Sequence, residues 1–506
     1  MDWLSYPAAS DRVLSMIGIE VHWIILQYIL GLPLMAVIAE VMWLKTKDER
    51  WLKIAKTLAK GFIMVFAVGA AMGTASEFGL VLLWPNLIEM AGRYIYFPLY
   101  AEIFAFLMEV VFIYMFWYAW NRIPAKAHIV VGLLAITGAW FSAAMITSVN
   151  SYMQAPTGII PASYDGGWNY DDGYPKLTLY VPAEIVKALD VEKLQSLGMD
   201  VLGKTEDSVI VAMPVRIVST LVSEAFSGKT VDESILQLVL LEDAKKALSS
   251  VAVKDVVDAI IMNTVRHVGI YSVTFQSPVY AASFAHALFS GITVSAFTAL
   301  GGYALAASRK KSEHAILGLK YAATFALVSV IIQGAVMGHE MGVAVAEWNP
   351  EKFAAMEANT PEFAEKFVAF MAYGSFEEEI PDYSSIPDEF KPPESIHTLY
   401  YAKIALAVVL FLTALLVVVM IWKGKEIPKM EYLILLAPLA QLVSFLGWAV
   451  REIGRKPWTI YGIMDVQTAH TINPPDVATA ALISLYFVAL LSVLSFAVYR
   501  FLWKEV

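Results

Sequence analysis

The segment from residue 448 to residue 458 reads Trp-Ala-Val-Arg-Glu-Ile-Gly-Arg-Lys-Pro-Trp and lies at the end of a long apolar run. Four of its side chains, those of Arg451, Glu452, Arg455 and Lys456, are charged. Charge is costly at a membrane boundary, and where it occurs it usually marks a functional site. The pattern therefore indicates a buried anionic cofactor, an ion path or a binding site.

Two histidines, His22 and His286, lie within apolar runs among small or apolar neighbours. A buried imidazole needs a partner, which is either a hydrogen-bonding group or a metal. A structural role and a ligand role are both open for each histidine taken alone. Their occurrence together with carboxylates inside the membrane favours a cofactor.

Glu102 and Glu109 also fall within an apolar run. They are seven residues apart, which is two helical turns, so they share one face of a helix. Carboxylates at that depth must be protonated, paired or in contact with water. The pair predicts a proton path or a metal site, and the alternative is that one of the two is an interfacial residue.

The composition excludes an ordinary soluble protein. Hydrophobic residues make up 58% of the 506 residues and charged residues 16%, with a mean hydropathy of +0.61, whereas soluble domains carry about 25% charged residues. The absence of cysteine excludes disulfides, iron–sulfur ligation and thiolate haem ligation by this chain. The net charge of −10 is concentrated in loops and does not suggest nucleic-acid binding.

Apolar runs near or above the ~20 residues that span a bilayer recur along the chain. They predict an all-α polytopic membrane protein whose transmembrane helices form a bundle. We place nine helices at about residues 13–44, 58–83, 97–120, 128–149, 272–307, 315–341, 397–422, 431–450 and 474–501.

The charges of the loops predict the orientation. Basic residues follow the first, third, fifth and seventh runs, and the alternate loops are acidic or long. The positive-inside rule then places the N-terminus outside and the C-terminus in the cytoplasm. The first run lacks the basic start and cleavage site of a secretory signal, so we expect a retained helix.

Two long segments between the runs have a different character. Residues 157–271 contain two short strand patterns, Lys176–Val181 and Ser208–Met213, and amphipathic helical patterns at 183–197, 214–226 and 231–262. They predict a small α+β extracytoplasmic insert. The second segment is acidic and proline-rich, which is typical of a mobile loop over the membrane surface. The predicted parts are transmembrane helices 1 to 4 (1–156), the insert (157–271), helices 5 and 6 (272–341), an extracytoplasmic loop (342–396) and helices 7 to 9 (397–506).

Several short motifs, in the same order, resemble subunit I of the cytochrome bd quinol oxidases over nearly all of the membrane part. Residues 452–458 resemble the family's Gly-Arg-Gln-Pro-Trp box with its preceding haem-ligating glutamate, and Lys456 stands in place of Gln. Residues 150–156 resemble the family's Asn-Gly-Trp-Met-Gln-Asn-Pro run. His22 and His286 match the family's two haem histidines.

Further positions match in the third helix, the long loop and the seventh helix. Glu102 and Glu109 resemble the paired acidic positions of the family's third helix, one residue closer together. The family's quinol-contacting lysine and glutamate fall on Lys352 and Glu357, so the predicted loop 342–396 is a quinol-binding loop by resemblance. Lys403 replaces a family arginine.

The resemblance implies a haem-containing subunit of a terminal quinol oxidase in a prokaryotic cell membrane. Such an enzyme oxidises membrane quinol, reduces dioxygen to water and contributes to the proton gradient. The implied cofactors are one or two haems b and a haem d or a further haem b. The implied partner is a second oxidase subunit, either the smaller subunit II or a subunit-I-like paralogue. The implied roles are iron ligation (His22, His286 and Glu452), further cofactor contacts (Arg451, Arg455 and Lys403), catalysis through proton supply (Glu102 and Glu109) and quinol binding (Lys352 and Glu357).

Two departures from the family leave alternatives open. Ala405 stands where the family has the methionine that is the second ligand of the low-spin haem, and alanine cannot bind iron. That haem is then five-coordinate, ligated by another residue, altered or absent. The insert is also longer than the family's loop. A divergent paralogous subunit with an incomplete haem set is therefore one alternative, and a proton-coupled transporter is another, although no inverted repeat is evident.

Overall fold

The computed structural model describes residues 9–310, 312–470 and 474–503, without the side chains of residues 9–12, 67, 71, 74, 75, 77 and 78. Within these residues, eight helices are long and apolar enough to cross a membrane. The predicted span at 58–83 falls on a further helix of 35 residues, which packs along the first helix. The predicted all-α membrane fold with a small sheet-containing insert is confirmed.

The long helices are α1 (Ala9–Thr46), α2 (Glu49–Leu83), α3 (Pro85–Tyr118), α4 (Ala125–Gln154), α11 (Tyr280–Lys310), α12 (Glu313–Ile331), α13 (Gly338–Trp348), α16 (Ser395–Trp422), α17 (Leu436–Ile453) and α19 (Val477–Val498). A π-helical turn, Ile332–Met337, joins α12 to α13 in one continuous span. A 3-10 turn, Met430–Leu435, precedes α17.

Four predicted helix boundaries were wrong by seven residues or more: the second helix begins at Glu49 rather than 58, and proline explains the other three. The third helix begins at Pro85 rather than residue 97, because proline is favoured in the first helical turn. The fifth begins at Tyr280 rather than 272, just after Pro278. The sixth span runs on to Trp348 rather than ending at 341, since Pro350 restricts the residue before it.

The membrane core forms where small residues let helices approach closely. A Cβ atom on Gly31 of α1 would lie 2.5 Å from Ser295 of α11, and one on Gly132 of α4 would lie 2.5 Å from Val37. Small residues at such contacts are the usual basis of helix packing in lipid, where no hydrophobic force acts between helices. Accordingly α11 is the most buried of the eight spans, whereas α3, α16 and α19 expose large apolar faces.

The insert contains a four-stranded antiparallel sheet in the order β1-β2-β4-β3. Its strands are β1 (Ile159–Ile160), β2 (Lys176–Pro182), β3 (Asp200–Lys204) and β4 (Ser208–Pro214), and its helices are α5 (Ala183–Ala188), α6 (Val191–Ser196), α7 (Val215–Phe226), α8 (Leu236–Val239), α9 (Glu242–Leu248) and α10 (Val253–Val268). Both predicted strands are confirmed, and they pair with each other. The predicted helix at 183–197 divides at Asp190, which caps α6 by accepting from the Lys193 N–H. The one predicted at 231–262 also divides, into α8, α9 and α10.

The segment 342–396 is not the irregular loop that its acidic, proline-rich sequence indicates. The end of α13 is followed by α14 (Pro350–Glu357) and α15 (Glu362–Tyr373), and every residue of α14 is buried. The Asn349 side chain anchors the start of α14 by donating to the Gln154 carbonyl at 2.8 Å. Beyond residue 453 lie β5 (Trp458–Ile460), β6 (Met464–Asp465) and α18 (Val466–Ala469).

Candidate functional site

Three helices, α1, α11 and α17, meet along a polar seam. The Ser444 hydroxyl contacts the Gln27 amide and lies 3.0 Å from both the Trp23 indole nitrogen and the Ser290 hydroxyl. One turn further along α17, the Trp448 ring stacks on Trp23, with centroids 5.2 Å apart. These residues recur every three or four positions, so each helix presents one face to the seam. The seam aligns the helices that carry His22, His286 and Glu452.

Glu452 lies at the end of this seam. Its carboxylate accepts from the Asn150 amide at 2.9 Å and from the Arg455 guanidinium at 2.6 Å. The charge of Glu20, on α1, acts on the same carboxylate. One Glu20 oxygen is buried and has no hydrogen-bond partner among the described residues. Two carboxyl groups thus interact electrostatically at this end of the seam.

Arg451 holds four elements together beside Glu452. Its guanidinium donates to the Asn150 side chain, to the Ser283 hydroxyl at 2.9 Å and to the Ser151 hydroxyl at 3.4 Å. Its backbone carbonyl accepts from Lys352 at 3.2 Å. Arg451 therefore fixes α4, α11 and α14 around the end of α17.

Cations outnumber carboxylates in this cluster. Four neighbouring charges, those of Arg451, Glu452, Arg455 and Lys403, act on the Lys352 side chain. The chain thus brings three cationic side chains, Arg451, Arg455 and Lys456, around Glu452, with Glu20 as a second carboxyl group. An excess of buried positive charge is unfavourable unless anions bind there.

Unpaired donors lie in the same place. The Nε and Nη1 atoms of Arg455 are buried and have no partner among the described residues. The indole nitrogens of Trp448 and Trp458 are likewise buried without a partner there. Buried donors almost always have a partner, so each unpaired one requires an explanation. Together with the excess of cations, these donors describe a site for an anionic group.

The two candidate histidines lie on either side of the seam. His22 points from α1 towards α2, and a Cβ on Gly73 of α2 would lie 2.9 Å from its ring. The His22 Nδ1 has no hydrogen-bond partner among the described residues. His286 lies on α11, where the positive charges of Lys403 and Arg451 act on it. The Gln333 amide, in the π-helical turn, lies 3.4 Å from both of its ring nitrogens. Each ring also has a backbone hydrogen-bond partner, Gly69 for His22 and Met337 for His286.

Lys352 and Glu357 lie at opposite ends of α14. Burial lowers the pKa of Lys352 well below its usual value, and the charge of Arg451 adds to this effect. The Glu357 carboxylate accepts from the Tyr401 hydroxyl at 2.6 Å and from the Thr360 hydroxyl at 2.5 Å. The sequence alone did not indicate Tyr401 and Thr360 as partners of Glu357.

Glu351, which the sequence analysis missed, is one of the most deeply buried carboxyl groups outside the spans. It accepts from the hydroxyl of Tyr461 at 2.8 Å and from that of Tyr170 at 3.4 Å. Burial raises the pKa of Glu351 to about 7, although both hydrogen bonds oppose this shift. The only available signal was its position beside Lys352, in a segment that looked solvated.

Glu102 and Glu109 lie on α3 facing α4. The Ser142 hydroxyl donates to Glu102 at 3.2 Å, and the charge of Glu102 acts on the buried Glu109. A Cβ on Gly138 would lie 3.0 Å from the Glu109 nitrogen, so the two helices are in contact here. The two carboxyl groups therefore lie near each other at the α3–α4 contact.

The sequence analysis also missed a buried polar pair, His128 and Glu40. His128 is 2% exposed and bonded through Nδ1 to Glu40 at 2.8 Å. Its Nε2 faces the Phe116 carbonyl at 2.8 Å. The pair ties α1 to α4.

Comparisons with known proteins place these features in a family. The model of the family described as cytochrome bd terminal oxidase subunit I matches residues 11–188 and 256–506. A Bacillus subtilis (strain 168) protein with the provisional name cytochrome bd menaquinol oxidase subunit I is 23% identical over 92% of this chain and 89% of its own length. A cytochrome bd ubiquinol oxidase subunit 1 of the same organism is 34% identical, over 27% of this chain and 30% of its own.

The fold itself is also found among solved structures. A chain of the bd oxidase from Geobacillus thermodenitrificans superposes with a TM-score of 0.70 and 21% identity, covering 98% of each chain. The family match is interrupted at residues 189–255, which lie within the insert.

Proposed function

Because the chain belongs to the cytochrome bd terminal oxidase subunit I family, we propose that it is the haem-containing subunit of a terminal quinol oxidase. The reaction oxidises two quinols to quinones, which releases four electrons and four protons. One dioxygen takes up four electrons and four protons to give two waters. With the N-terminus outside, as the loop charges predict, quinol protons leave outside and the consumed protons enter from inside.

The excess of buried cations around Glu452 is the observation that best supports this proposal. A haem carries two propionate groups, and these would suit a site with Arg451, Arg455 and Lys456 around one carboxylate. The Arg455 donors without a partner among the described residues are available to such anions. The residues of this chain at the end of α17 therefore fit a haem.

His22, His286 and Glu452 are the proposed iron ligands. The Nδ1 of His22 has no partner among the described residues, and the only side-chain hydrogen-bond contact of His286 among them is Gln333 at 3.4 Å. A ring nitrogen of each is therefore available to iron beside the backbone hydrogen bonds to Gly69 and Met337. Bound haem would supply one-electron transfer and dioxygen reduction, which no side chain of this chain can perform. Asn150 and Arg455 orient the Glu452 carboxylate, and Arg451 fixes the helices around it.

Lys352 and Glu357 are the proposed quinol contacts. A neutral, desolvated Lys352 accepts a proton from a quinol hydroxyl more readily than a solvated ammonium would. Glu357 is held in place by Tyr401 and Thr360 and can accept a hydrogen bond from the substrate. Glu102 and Glu109, beside Ser142, are the proposed inward proton supply.

A divergent subunit with an incomplete haem set remains the second candidate, because Ala405 stands where the family has a methionine ligand. Haem quantification separates the two candidates, since a complete set requires one more haem per chain than a set that lacks the low-spin haem. The transporter alternative is not favoured by the family comparisons. A second oxidase subunit is the proposed partner, and the exposed apolar faces of α3, α16 and α19 are available to it or to lipid.

Quinol-dependent oxygen uptake by the purified complex tests the proposal. Lys352→Ala and Glu357→Ala should each raise the KM for quinol about tenfold, as expected for the loss of one hydrogen bond to a charged group, with haem content unchanged. Lys366→Ala, at an exposed position on α15, is the matched control. Normal quinol kinetics in both variants would contradict the assignment, and absence of uptake by the wild-type complex would contradict the proposed activity.

A further inference from the structure

The insert encloses a cavity of about 230 Å³ between its sheet and its helices. The sheet contributes Leu177, Leu179 and Met213, and the opposite side is formed by apolar residues of α7, α8 and α10. Folded cores rarely leave voids larger than a water molecule. An apolar cavity of roughly 150 Å³ already binds benzene. This cavity is therefore large enough for an organic ligand.

Water is a poor occupant of this space. A buried water needs two to four polar partners, and the lining is almost wholly apolar. Of its few polar side chains, Thr264 is already engaged, because its hydroxyl donates to the Ile260 carbonyl and accepts from the Tyr180 N–H, each at 2.9 Å. Thr157 donates to the Val273 carbonyl. The occupant must therefore be largely apolar.

One polar group in the lining lacks a partner. Tyr94, on α3, is 3% exposed, and its hydroxyl has no hydrogen-bond partner among the described residues. Its ring lies 5.1 Å from that of Tyr152, on α4, which also lines the cavity. A hydroxyl that is buried without a partner is unfavourable. A ligand that brings one hydrogen-bond acceptor to this end of the cavity would satisfy it.

The position of the cavity indicates where its ligand comes from. Tyr94 and Tyr152 belong to membrane-spanning helices, so one end of the lining is formed by the bundle itself. Leu197 and Leu238, also in the lining, are exposed, so the cavity reaches the protein surface there. Much of the lining lies in residues 189–255, outside the family match.

We propose that the insert binds a long aliphatic chain with one oxygen acceptor at its end, taken from the membrane, with the oxygen near the Tyr94 hydroxyl. A fatty acyl chain and an isoprenoid chain share this chemistry. The site is separate from the haem and quinol sites proposed above, and its existence does not depend on them.

Photolabelling of the purified full-length complex tests this inference. The probe is a palmitic acid analogue with a diazirine in its chain, and the labelled peptides are identified by mass spectrometry. Saturable labelling between residues 177 and 268 is expected. Competition by unlabelled palmitate identifies an acyl chain as the preferred ligand, and competition by geranylgeraniol alone identifies an isoprenoid chain. Absence of saturable labelling in this range overturns the proposal.

Two variants make the test specific. Val222→Trp places a large side chain in the cavity and should lower labelling at least about tenfold, whereas Leu202→Trp, at an exposed position outside the lining, should not. Tyr94→Phe should weaken binding severalfold, the usual effect of one neutral hydrogen bond. Labelling that persists unchanged in Val222→Trp overturns the proposal. Should that variant not fold, the labelling of the wild-type complex and its dependence on Tyr94 still decide between these outcomes.

Discussion

Three cationic side chains, Arg451, Arg455 and Lys456, act on Glu452, and several buried donors near it have no partner in the part of the chain that the structure describes. Its two hydrogen bonds, to Asn150 and Arg455, leave its position well defined. The same geometry would suit Glu452 to hold the iron of a haem, since its carboxylate is oriented by Asn150 and Arg455. The consequences of single substitutions here follow from charge and orientation rather than from packing.

Glu452→Ala should remove the signal of a high-spin haem while the protein remains folded in the membrane. The variant loses the proposed iron ligand and leaves Arg455 without its carboxylate partner. The measurement is the reduced visible spectrum together with haem content. Glu431→Ala, at an exposed position before α17, is the control and should keep the wild-type spectrum. An unchanged spectrum in Glu452→Ala would remove this residue from the ligand set.

Glu351 predicts a pH dependence of stability. Burial raises its pKa in the folded protein from 4.5 to about 7. Its contribution to stability is therefore fully present below about pH 4.5 and is lost as the pH rises through 7, by an amount on the order of 3 kcal/mol.

Glu351→Gln should remove this loss, because the amide cannot ionise. The melting temperature of the wild-type protein should fall more steeply between pH 5 and 8 than that of the variant. Equal slopes in the two proteins would show that the Tyr170 and Tyr461 hydroxyls stabilise the ionised carboxylate fully.

At the scale of the elements, helices are joined by a few polar contacts within an otherwise apolar core. The Glu40–His128 pair ties α1 to α4, and the Ser444 cluster ties α1 and α11 to α17. The sequence predicted most spans because apolar length is a local property. It missed these ties because their partners are far apart in the chain; Gln27 and Ser444, for example, are separated by 417 residues.

Glu40→Ala should destabilise the bundle by about 1–3 kcal/mol, because it leaves the buried His128 Nδ1 without its hydrogen-bond partner. Thermal unfolding of the purified protein, followed by circular dichroism, measures the effect. Glu426→Ala changes an exposed carboxylate between α16 and α17 and should have little effect. Equal melting temperatures for the two variants would contradict a buried hydrogen bond between Glu40 and His128.

The candidate site likewise combines features that are local in the sequence with contacts between residues far apart in the chain. Short motifs identified His22, His286, Glu452, Lys352 and Glu357, because motif residues are close in the sequence. The approach of Glu20 to Glu452 and the burial of Glu351 depend on tertiary contacts between α1 and α17 and around α14. No local pattern in the sequence reports such contacts.

At the scale of the whole molecule, the bundle has a charged, buried cluster at the end of α17, and α14 packs against it. The carboxyl pair Glu102 and Glu109 lies apart from this cluster, at the contact between α3 and α4. This arrangement separates the proposed quinol contacts from the proposed proton supply. Such a separation allows protons to be released on one side and taken up on the other. The insert contacts α14 through Tyr170, whose hydroxyl donates to Glu351 at 3.4 Å.

The dithionite-reduced minus air-oxidised visible spectrum of the purified complex, with haem identified as its pyridine haemochrome, tests the central claim most directly. We expect bands of haem b, with a far-red band if a haem d is bound. Haem b bands alone would indicate a b-only oxidase, with Ala405 the reason for any missing low-spin signal. A complex that contains no haem at all would contradict the proposed oxidase.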